Sequence, residues 1–396
     1  MRRALLIILA GGQGSRLDVL TVGRAKPSLP VGGTFRLIDL MLSNAANSGL
    51  TDVWIVQQYE PHLLNEHLAG GRPWDLDRGR GGLRMLPPFQ GADGEGFAAG
   101  NADALARQAR LIDAAGPEVV IVASADHLCA LDLEAIVEDH RERGSDLTIV
   151  TTELDRSQDP TRHALVDVNA RGRVTAMHVK PEDAPHRTAA TEVFVYRTDV
   201  LLGTLRALVA EGAPLGDFGE ALVPTVIDGG RTHAWEHRGH WRDLGTPEAY
   251  LDAQLELLRP RPPFRLDDPA WPIVSPAVPR VPARIEGTAH VEGSWISPGA
   301  VVRGTVVDSI VGPGVVVDRD AEVRRSVLFD DARVGRGASV ARAVLAEDVR
   351  IGARCRVGAP QARHPVLVGA GRRLAAGTVV AAGSHLDPAN AEPPLR

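Results

Sequence analysis

The chain has 396 residues, 44% hydrophobic and 24% charged, which is typical of a globular protein with room for two or three domains. Its net charge of −6 excludes a basic surface for non-specific nucleic-acid binding, and no apolar run approaches the length of a membrane-spanning helix. Two cysteines far apart favour a reduced, cytoplasmic protein without a disulfide framework. Only two of the 44 basic residues are lysines, Lys26 and Lys180, and each precedes a proline.

Residues 1–257 alternate short apolar runs with amphipathic stretches, which predicts an α/β domain on a mostly parallel sheet. Buried strands are expected at the apolar runs 5–9, 53–56, 119–122 and 147–150. Apolar residues recur at helical spacing from Ile38 to Ala45, and Gly49 is a good helix stop. The glycine-rich stretch 70–100 has little periodicity, so we expect a long active-site flap or regulatory loop there.

The last part of the chain differs in composition and in the period of its apolar residues. Residues 258–283 are rich in proline, which predicts an extended, semi-rigid linker. In residues 284–385, aliphatic side chains recur every 17 residues, as at Val323, Val340 and Val357. This period indicates a β-helix of hexapeptide-type coils, followed by a tail at 386–396. A β-sandwich with regular turns is the alternative, but its strands need not keep a fixed register.

The first predicted strand leads into a glycine-rich loop, Leu9-Ala-Gly-Gly-Gln-Gly-Ser-Arg-Leu17. Its three glycines let backbone N–H groups approach a polyphosphate closely at the edge of a parallel sheet. The loop matches neither a Walker sequence nor the dinucleotide fingerprint. Arg16, Arg24 and Lys26 bring three cations to this loop in a chain that is acidic overall. This arrangement is suited to a triphosphate.

Several further motifs follow the glycine loop along the chain. In order, the motifs are Gly11-Gly-Gln-Gly-Ser-Arg-Leu17, Arg24-Ala-Lys-Pro27, Phe35-Arg-Leu-Ile-Asp-Leu-Met-Leu-Ser-Asn44, Gln57-Gln-Tyr59, Gly100-Asn-Ala-Asp-Ala104, Ser124-Ala-Asp-His127, Val179-Lys-Pro181, Asp217-Phe-Gly219 and Trp241-Arg-Asp-Leu-Gly-Thr246. Together they resemble the motifs of the glucose-1-phosphate adenylyltransferase family, also called ADP-glucose pyrophosphorylases. The resemblance covers about 1–255 and 280–360 and implies a Rossmann-like nucleotidyltransferase domain followed by a left-handed β-helix.

The resemblance implies that ATP and glucose 1-phosphate give ADP-glucose and pyrophosphate, for glycogen or α-glucan synthesis, by in-line attack with Mg²⁺. It implies catalytic roles for Arg16, Lys26 and Asp126, and Mg²⁺ ligation by Asp126 and Asp243. The implied nucleotide-binding residues are Gly11, Gly12, Gly14, Gln58, Gly100 and Asp103. The implied sugar-phosphate-binding residues are Lys180, Glu192 and Asp217. A homotetramer and metabolite effectors are implied as well.

Departures from the family pattern lie on the sugar side. The family's Glu-Lys-Pro is Val179-Lys-Pro181 here, and its Ala-Ser-Met-Gly is Ala189-Ala-Thr-Glu192. Losing partners for a substrate hydroxyl can change selectivity by orders of magnitude. The same chemistry on another sugar 1-phosphate is therefore an alternative.

Two functions of other classes are also considered. A catalytically silent regulatory subunit is one, although such subunits usually lose the triphosphate and metal residues that this chain keeps. A hexapeptide acyltransferase would leave the first domain unexplained. The histidines form no recognisable catalytic or metal spacing and are expected to be structural or exposed.

Overall fold

The structure, a computed structural model, describes residues 4–12, 14–87, 98–156, 158–277 and 279–389. The strands up to residue 257 are β1 (Ala4–Ala10), β2 (Pro30–Val31), β3 (Phe35–Arg36), β4 (Asp52–Gln57), β5 (Gly82–Leu86), β6 (Val119–Ser124), β7 (His127–Cys129), β8 (Leu147–Glu153), β9 (Ala164–Val168), β10 (Val174–Val179), β11 (Thr188–Arg197), β12 (Thr232–Glu236) and β13 (Trp241–Asp243). The α-helices are α1 (Leu37–Asn47), α2 (Pro61–Leu68), α3 (Asn101–Arg107), α4 (Ala109–Ala115), α5 (Leu133–Glu142), α6 (Thr198–Ala210), α7 (Leu222–Gly229) and α8 (Pro247–Leu257). Short 3₁₀ helices lie at Ser15–Leu20, Lys26–Ser28, Ala69–Trp74 and Pro160–Arg162.

A nine-stranded sheet organises this part of the chain, in the order β10-β9-β11-β6-β1-β4-β5, with β8 beside β11 and β12 beside β8. Its centre, β6-β1-β4-β5, is parallel, and β11 joins β6 antiparallel. Alternate residues of β1 enter two buried clusters, Leu6 in one and Leu5 in the other. A strand covered on both faces is continuously apolar, which is why the four apolar runs predicted the strands correctly.

The prediction of helix α1 is confirmed, and that of the long loop is partly wrong. Gly49 follows α1 with φ 66°, and its N–H donates to the carbonyl of Ala46 at 3.0 Å. Within 70–100, however, β5 forms the edge strand beside β4. Its pairing with β4 is tertiary, and the alternation of its few apolar residues is too short to indicate a strand. Residues 88–97 lie outside the described residues.

The last part of the chain forms a left-handed β-helix with three faces, each a parallel six-stranded sheet. The first face holds Arg284–Ile285, Val301–Val302, Val316–Val317, Arg333–Val334, Arg350–Ile351 and Arg373–Leu374. The second holds His290–Glu292, Thr305–Val307, Glu322–Arg324, Ser339–Ala341, Arg356–Gly358 and Val379–Val380. The third holds Trp295–Ile296, Ile310–Val311, Val327–Leu328, Ala343–Leu345, Val366–Val368 and His385–Leu386. The predicted register is confirmed, because Val323, Val340 and Val357 stack in adjacent coils.

The two parts of the chain share a core. Tyr250 of α8 packs edge-on against Phe329 of the β-helix, with ring centroids 6.2 Å apart. The proline-rich segment between them packs back on α1, where the Trp271 indole donates to the Asn44 side chain at 2.8 Å. Among the described residues, no helix combines the length and apolar character needed to cross a membrane.

Candidate active site

The glycine loop after β1 packs tightly against two neighbouring side chains. A Cβ at position 11 would lie 3.0 Å from Cγ of Gln58. Gly14 has φ 65°, and a Cβ there would lie 3.0 Å from Cβ of Lys26. A larger residue at either position would displace Gln58 or Lys26, so glycine keeps the loop close to both.

Two carboxylates and one ammonium meet at the carboxyl end of β6. Asp126 lies between β6 and β7, and β7 pairs antiparallel with β13 so that Asp243 is opposite His127. Nζ of Lys26 is 2.5 Å from Oδ2 of Asp126 and 3.5 Å from Oδ1 of Asp243. The Ser124 hydroxyl donates to the other oxygen of Asp126. Strand pairing thus joins residues that are distant in sequence.

Charge pairing keeps Lys26 and Asp126 ionised. Burial alone would raise the pKa of Asp126, but the Lys26 ammonium holds it well below its usual value. Burial likewise opposes the charged form of Lys26, yet Asp126 and Asp243 together raise the pKa of this ammonium. Lys26 is therefore a cation, and Asp126 an anion, at neutral pH.

The donor set beside Lys26 fits a divalent cation. The potential ligand atoms of Asp126, His127 and Glu192 all lie within 4.8 Å of one another. Nδ1 of His127 is buried without a hydrogen-bond partner. Two members of this set are carboxylates, and hard cations such as Mg²⁺ prefer oxygen ligands. Asp243, the other residue expected to bind the ion, is not one of these three.

A cavity of 260 Å³ lies in front of these carboxylates. It is lined by residues that the sequence predicts to bind the nucleotide, the metal ion and the sugar phosphate. They are Gly12, Arg16, Lys26, Asp126, Lys180, Glu192, Asp217 and Asp243. One cavity therefore brings together most of the residues expected to bind the two substrates.

The sugar-phosphate side of the cavity has unusual backbone geometry. Lys180 directly follows β10 with φ 46°, and its N–H donates to the carbonyl of His163 at 3.1 Å. Glu192 has φ 55° where the register of β11 against β8 is interrupted. Such conformations are costly for residues other than glycine and cluster at functional sites. Loss of solvation of its carboxyl raises the pKa of Glu192, although part of the residue is exposed to solvent, and the charge of Asp126 adds to the rise.

Five predicted nucleotide-binding residues do not line this cavity: Gly11, Gly14, Gln58, Gly100 and Asp103. A Cβ at Gly100 would lie 2.3 Å from the carbonyl carbon of Gly216, so close backbone packing explains this glycine. Asp103 pairs with Arg107 at 3.1 Å and accepts a hydrogen bond from the N–H of Ala99 at 2.9 Å. Their nucleotide roles stay predictions.

Sequence reasoning missed three aromatic residues of the cavity. The Trp241 ring lies between those of His127 and His163, with centroids 5.0 and 5.5 Å away. His127 and Trp241 stand in the same motifs as the two carboxylates, which was an available signal. His163 has no such signal, because only the folding of the chain brings it to Trp241.

The fold and the site define a nucleotidyl transferase. The family model described as nucleotidyl transferase matches residues 5–259, and the model described as GlmU-like, C-terminal hexapeptide, matches 280–365. The glucose-1-phosphate adenylyltransferase of Pseudothermotoga lettingae is 37% identical over 82% of this chain and 77% of its own length. The enzymes of the same name from Thermomicrobium roseum (37% identical, 81% of this chain and 80% of the relative) and Clostridium novyi (34%, 80% and 83%) are also similar. The chain belongs to the glucose-1-phosphate adenylyltransferase family.

Proposed function

We propose that this chain transfers the adenylyl group of ATP to glucose 1-phosphate, yielding ADP-glucose and pyrophosphate. One observation carries the proposal: Lys26 lies between Asp126 and Asp243 in a cavity that also contains Lys180. A cation for each phosphate substrate and a carboxylate pair for a divalent ion are what this reaction needs. The relatives named glucose-1-phosphate adenylyltransferase support the choice of both substrates.

In the proposed reaction, an oxygen of the sugar phosphate attacks the α-phosphorus of ATP as the bond to the β-phosphate bridging oxygen breaks. Pyrophosphate leaves with the electron pair of that bond. No covalent enzyme intermediate is needed, so catalysis consists of positioning and charge neutralisation. We assign Arg16 and Lys26 to the β- and γ-phosphates, with N–H groups of the glycine loop beside them.

Asp126 and Asp243 would hold the divalent cation, for which we propose Mg²⁺. When bound, this ion supplies charge neutralisation on the phosphates. Lys26 keeps Asp126 ionised, and its remaining N–H groups are available to a phosphate oxygen. On the opposite side, we assign Lys180 to the phosphate of the sugar, and Asp217 and Glu192 to sugar hydroxyls.

The Lys180→Arg variant should raise the KM for glucose 1-phosphate by about tenfold or more, with a smaller change in the KM for ATP. An ammonium is a compact charge with rotatable donors, whereas a guanidinium is a planar fork that points its donors elsewhere. Initial rates of pyrophosphate release at varied glucose 1-phosphate test this expectation. Arg238→Lys, outside the cavity, is the control, and an unchanged KM in Lys180→Arg would remove Lys180 from the sugar-phosphate site.

The Glu192→Gly variant should stabilise the fold by about 1 kcal/mol while raising the KM for glucose 1-phosphate. Glycine adopts the φ of 55° without strain, and the change removes a carboxylate close to Asp126. Thermal unfolding and initial-rate kinetics measure the two effects. Glu192→Gln separates charge from shape, and a lower KM in Glu192→Gly would mean that Glu192 obstructs the sugar.

The proposed function is tested by pyrophosphate release from ATP or UTP with a panel of sugar 1-phosphates. ATP with glucose 1-phosphate should be the preferred pair, and Asp126→Asn shows whether the signal belongs to this site. Preference for another sugar 1-phosphate would reassign the substrate. No release with any pair would favour a silent regulatory subunit.

The family resemblance also implies a homotetramer and metabolite effectors, and both stay predictions, as does a cytoplasmic location. Light scattering on the purified chain measures the number of subunits. Rates with and without added metabolites measure the effectors.

A further inference from the structure

The segment that carries Arg16 and Lys26 packs on the β-helix. Leu17 and Leu20 are fully or almost fully buried in the same apolar cluster as Val344 and Leu367 of the β-helix core. The apolar side chains of β1, the strand just before the loop, belong instead to the two clusters that flank the catalytic sheet. The glycine loop is therefore where the chain passes from one core to the other.

One end of this segment is fixed by an ion pair with the β-helix. Arg24, two residues before Lys26, donates to both carboxylate oxygens of Glu347 through its Nη1 and Nη2 atoms, with Nη1 2.6 Å from Oε1. The two side chains are only 9% and 20% exposed. Because two hydrogen bonds join the planar guanidinium to the carboxylate, the pair fixes the orientation of the Arg24 side chain as well as its distance from Glu347.

The neighbouring coil of the β-helix makes a second, parallel contact. Asp330 occupies the position of Glu347 one 17-residue repeat earlier, and Arg36 reaches it at 3.4 Å. The repeat thus stacks two carboxylates on one side of the β-helix, and each meets an arginine of the catalytic domain.

The other end of the segment is held by the last described coil. Asp18, two residues after Arg16, has φ 52° and ψ −127°, a conformation that is costly for a residue with a side chain. Its Oδ2 is 2.5 Å from Nδ1 of His385. A contact from outside the segment therefore helps to keep Asp18, and with it the loop that carries Arg16, in this conformation.

We propose that the β-helix positions the two phosphate-binding cations of the catalytic domain, with Glu347 and His385 as positioning residues that act through Arg24 and Asp18. This inference rests on the proposed function, in which Arg16 and Lys26 bind the triphosphate. The 2.5 Å contact of Lys26 with Asp126 tolerates little displacement. A misplacement of about 1 Å can lower a rate by about 10²-fold. The β-helix is then part of the machinery for using ATP.

The test uses the full chain and the Glu347→Gln variant. Losing the carboxylate charge leaves Arg24 buried without its counter-ion, and kcat/KM for ATP should fall by about tenfold or more. The KM for glucose 1-phosphate should change little. Glu347→Asp should recover part of the loss. His385→Gln should also lower kcat/KM for ATP, with a smaller effect. Because the His385 side chain is partly exposed, we expect this variant to fold normally.

Asp252→Asn is the matched control. Its partner Arg342 is a buried arginine of the β-helix, 2.9 Å away. Among the described residues, no hydrogen bond or ion pair joins either side chain to the segment that carries Arg16 and Lys26. Both variants should lower the unfolding temperature, but only Glu347→Gln should change the use of ATP. Unchanged ATP kinetics in Glu347→Gln, or an equal loss in Asp252→Asn, would overturn the positioning role.

Calorimetric titration with ATP and Mg²⁺, without sugar phosphate, separates this inference from the proposed function. A wild-type chain that binds ATP but releases no pyrophosphate contradicts the proposed function, and weaker ATP binding in Glu347→Gln would still support positioning. An active wild type with equal ATP affinity and kinetics in the variant contradicts positioning alone. A wild type that binds no ATP contradicts both.

Discussion

Replacing Asp126 with asparagine is expected to lower the kcat for pyrophosphate release by about 10³-fold. The amide keeps the size of the side chain but loses its charge, and with it the stronger ligand of a divalent cation. The Ser124 hydroxyl and the Lys26 ammonium, which both donate to the carboxylate, would face a neutral group in its place. Metal binding and the orientation of Lys26 are therefore disturbed together, which is why we expect a large effect.

The measurement is kcat at saturating ATP and glucose 1-phosphate over a range of Mg²⁺ concentrations. Asp228→Asn, at an exposed position of α7, is the matched control and should behave as wild type. Because folding lowers the pKa of Asp126, its charge stabilises the folded chain at neutral pH, and this contribution is lost only below about pH 4. Unfolding temperatures of the wild type and the variant at neutral pH measure the loss of this contribution and show whether the variant is still folded. A nearly normal kcat would place the catalytic carboxylate elsewhere.

The parts of the fold that could be predicted from sequence are those whose side-chain pattern is set by local geometry. The continuous apolar run of β1 reflects burial on both faces of the sheet, and the 17-residue step of Val323, Val340 and Val357 reflects one coil of the β-helix. Motifs also pointed to Lys26 and the carboxylates as a group. The structure supplies the pairing of β7 with β13, which explains why Asp126 and Asp243 are neighbours.

The features that sequence could not predict depend on contacts between distant segments. Arg24 and Glu347 are 323 residues apart, and no local pattern pairs them. Residues 82–86 form strand β5 because their backbone pairs in parallel with β4, and not because of their own composition. Glu192 could be named as a departure from the family pattern, but its φ of 55° comes from the irregular register of β11.

The Lys26→Arg variant is expected to lower kcat/KM for ATP by about 10²-fold or more, although it keeps the positive charge. The Lys26 side chain is only 7% exposed, and a Cβ at Gly14 would already lie 3.0 Å from it. A guanidinium is wider than an ammonium, so it would overfill this space and move its donors away from Asp126. Initial rates at varied ATP measure the effect, with unfolding temperature as the check on folding.

The same substitution at the two lysines of this chain makes the comparison informative. Lys180 is exposed at the end of β10, so its arginine variant should fold normally and lose affinity mainly for glucose 1-phosphate. Lys26 is buried at the carboxylates, so its variant should lose mainly the use of ATP. Elsewhere the chain uses arginine for all 42 remaining basic residues, which a genome rich in arginine codons would explain. Near-normal kinetics in both variants would extend that explanation to the two lysines. A loss of ATP use in Lys26→Arg and of glucose 1-phosphate affinity in Lys180→Arg would instead show that each lysine is required for one of the two phosphate substrates.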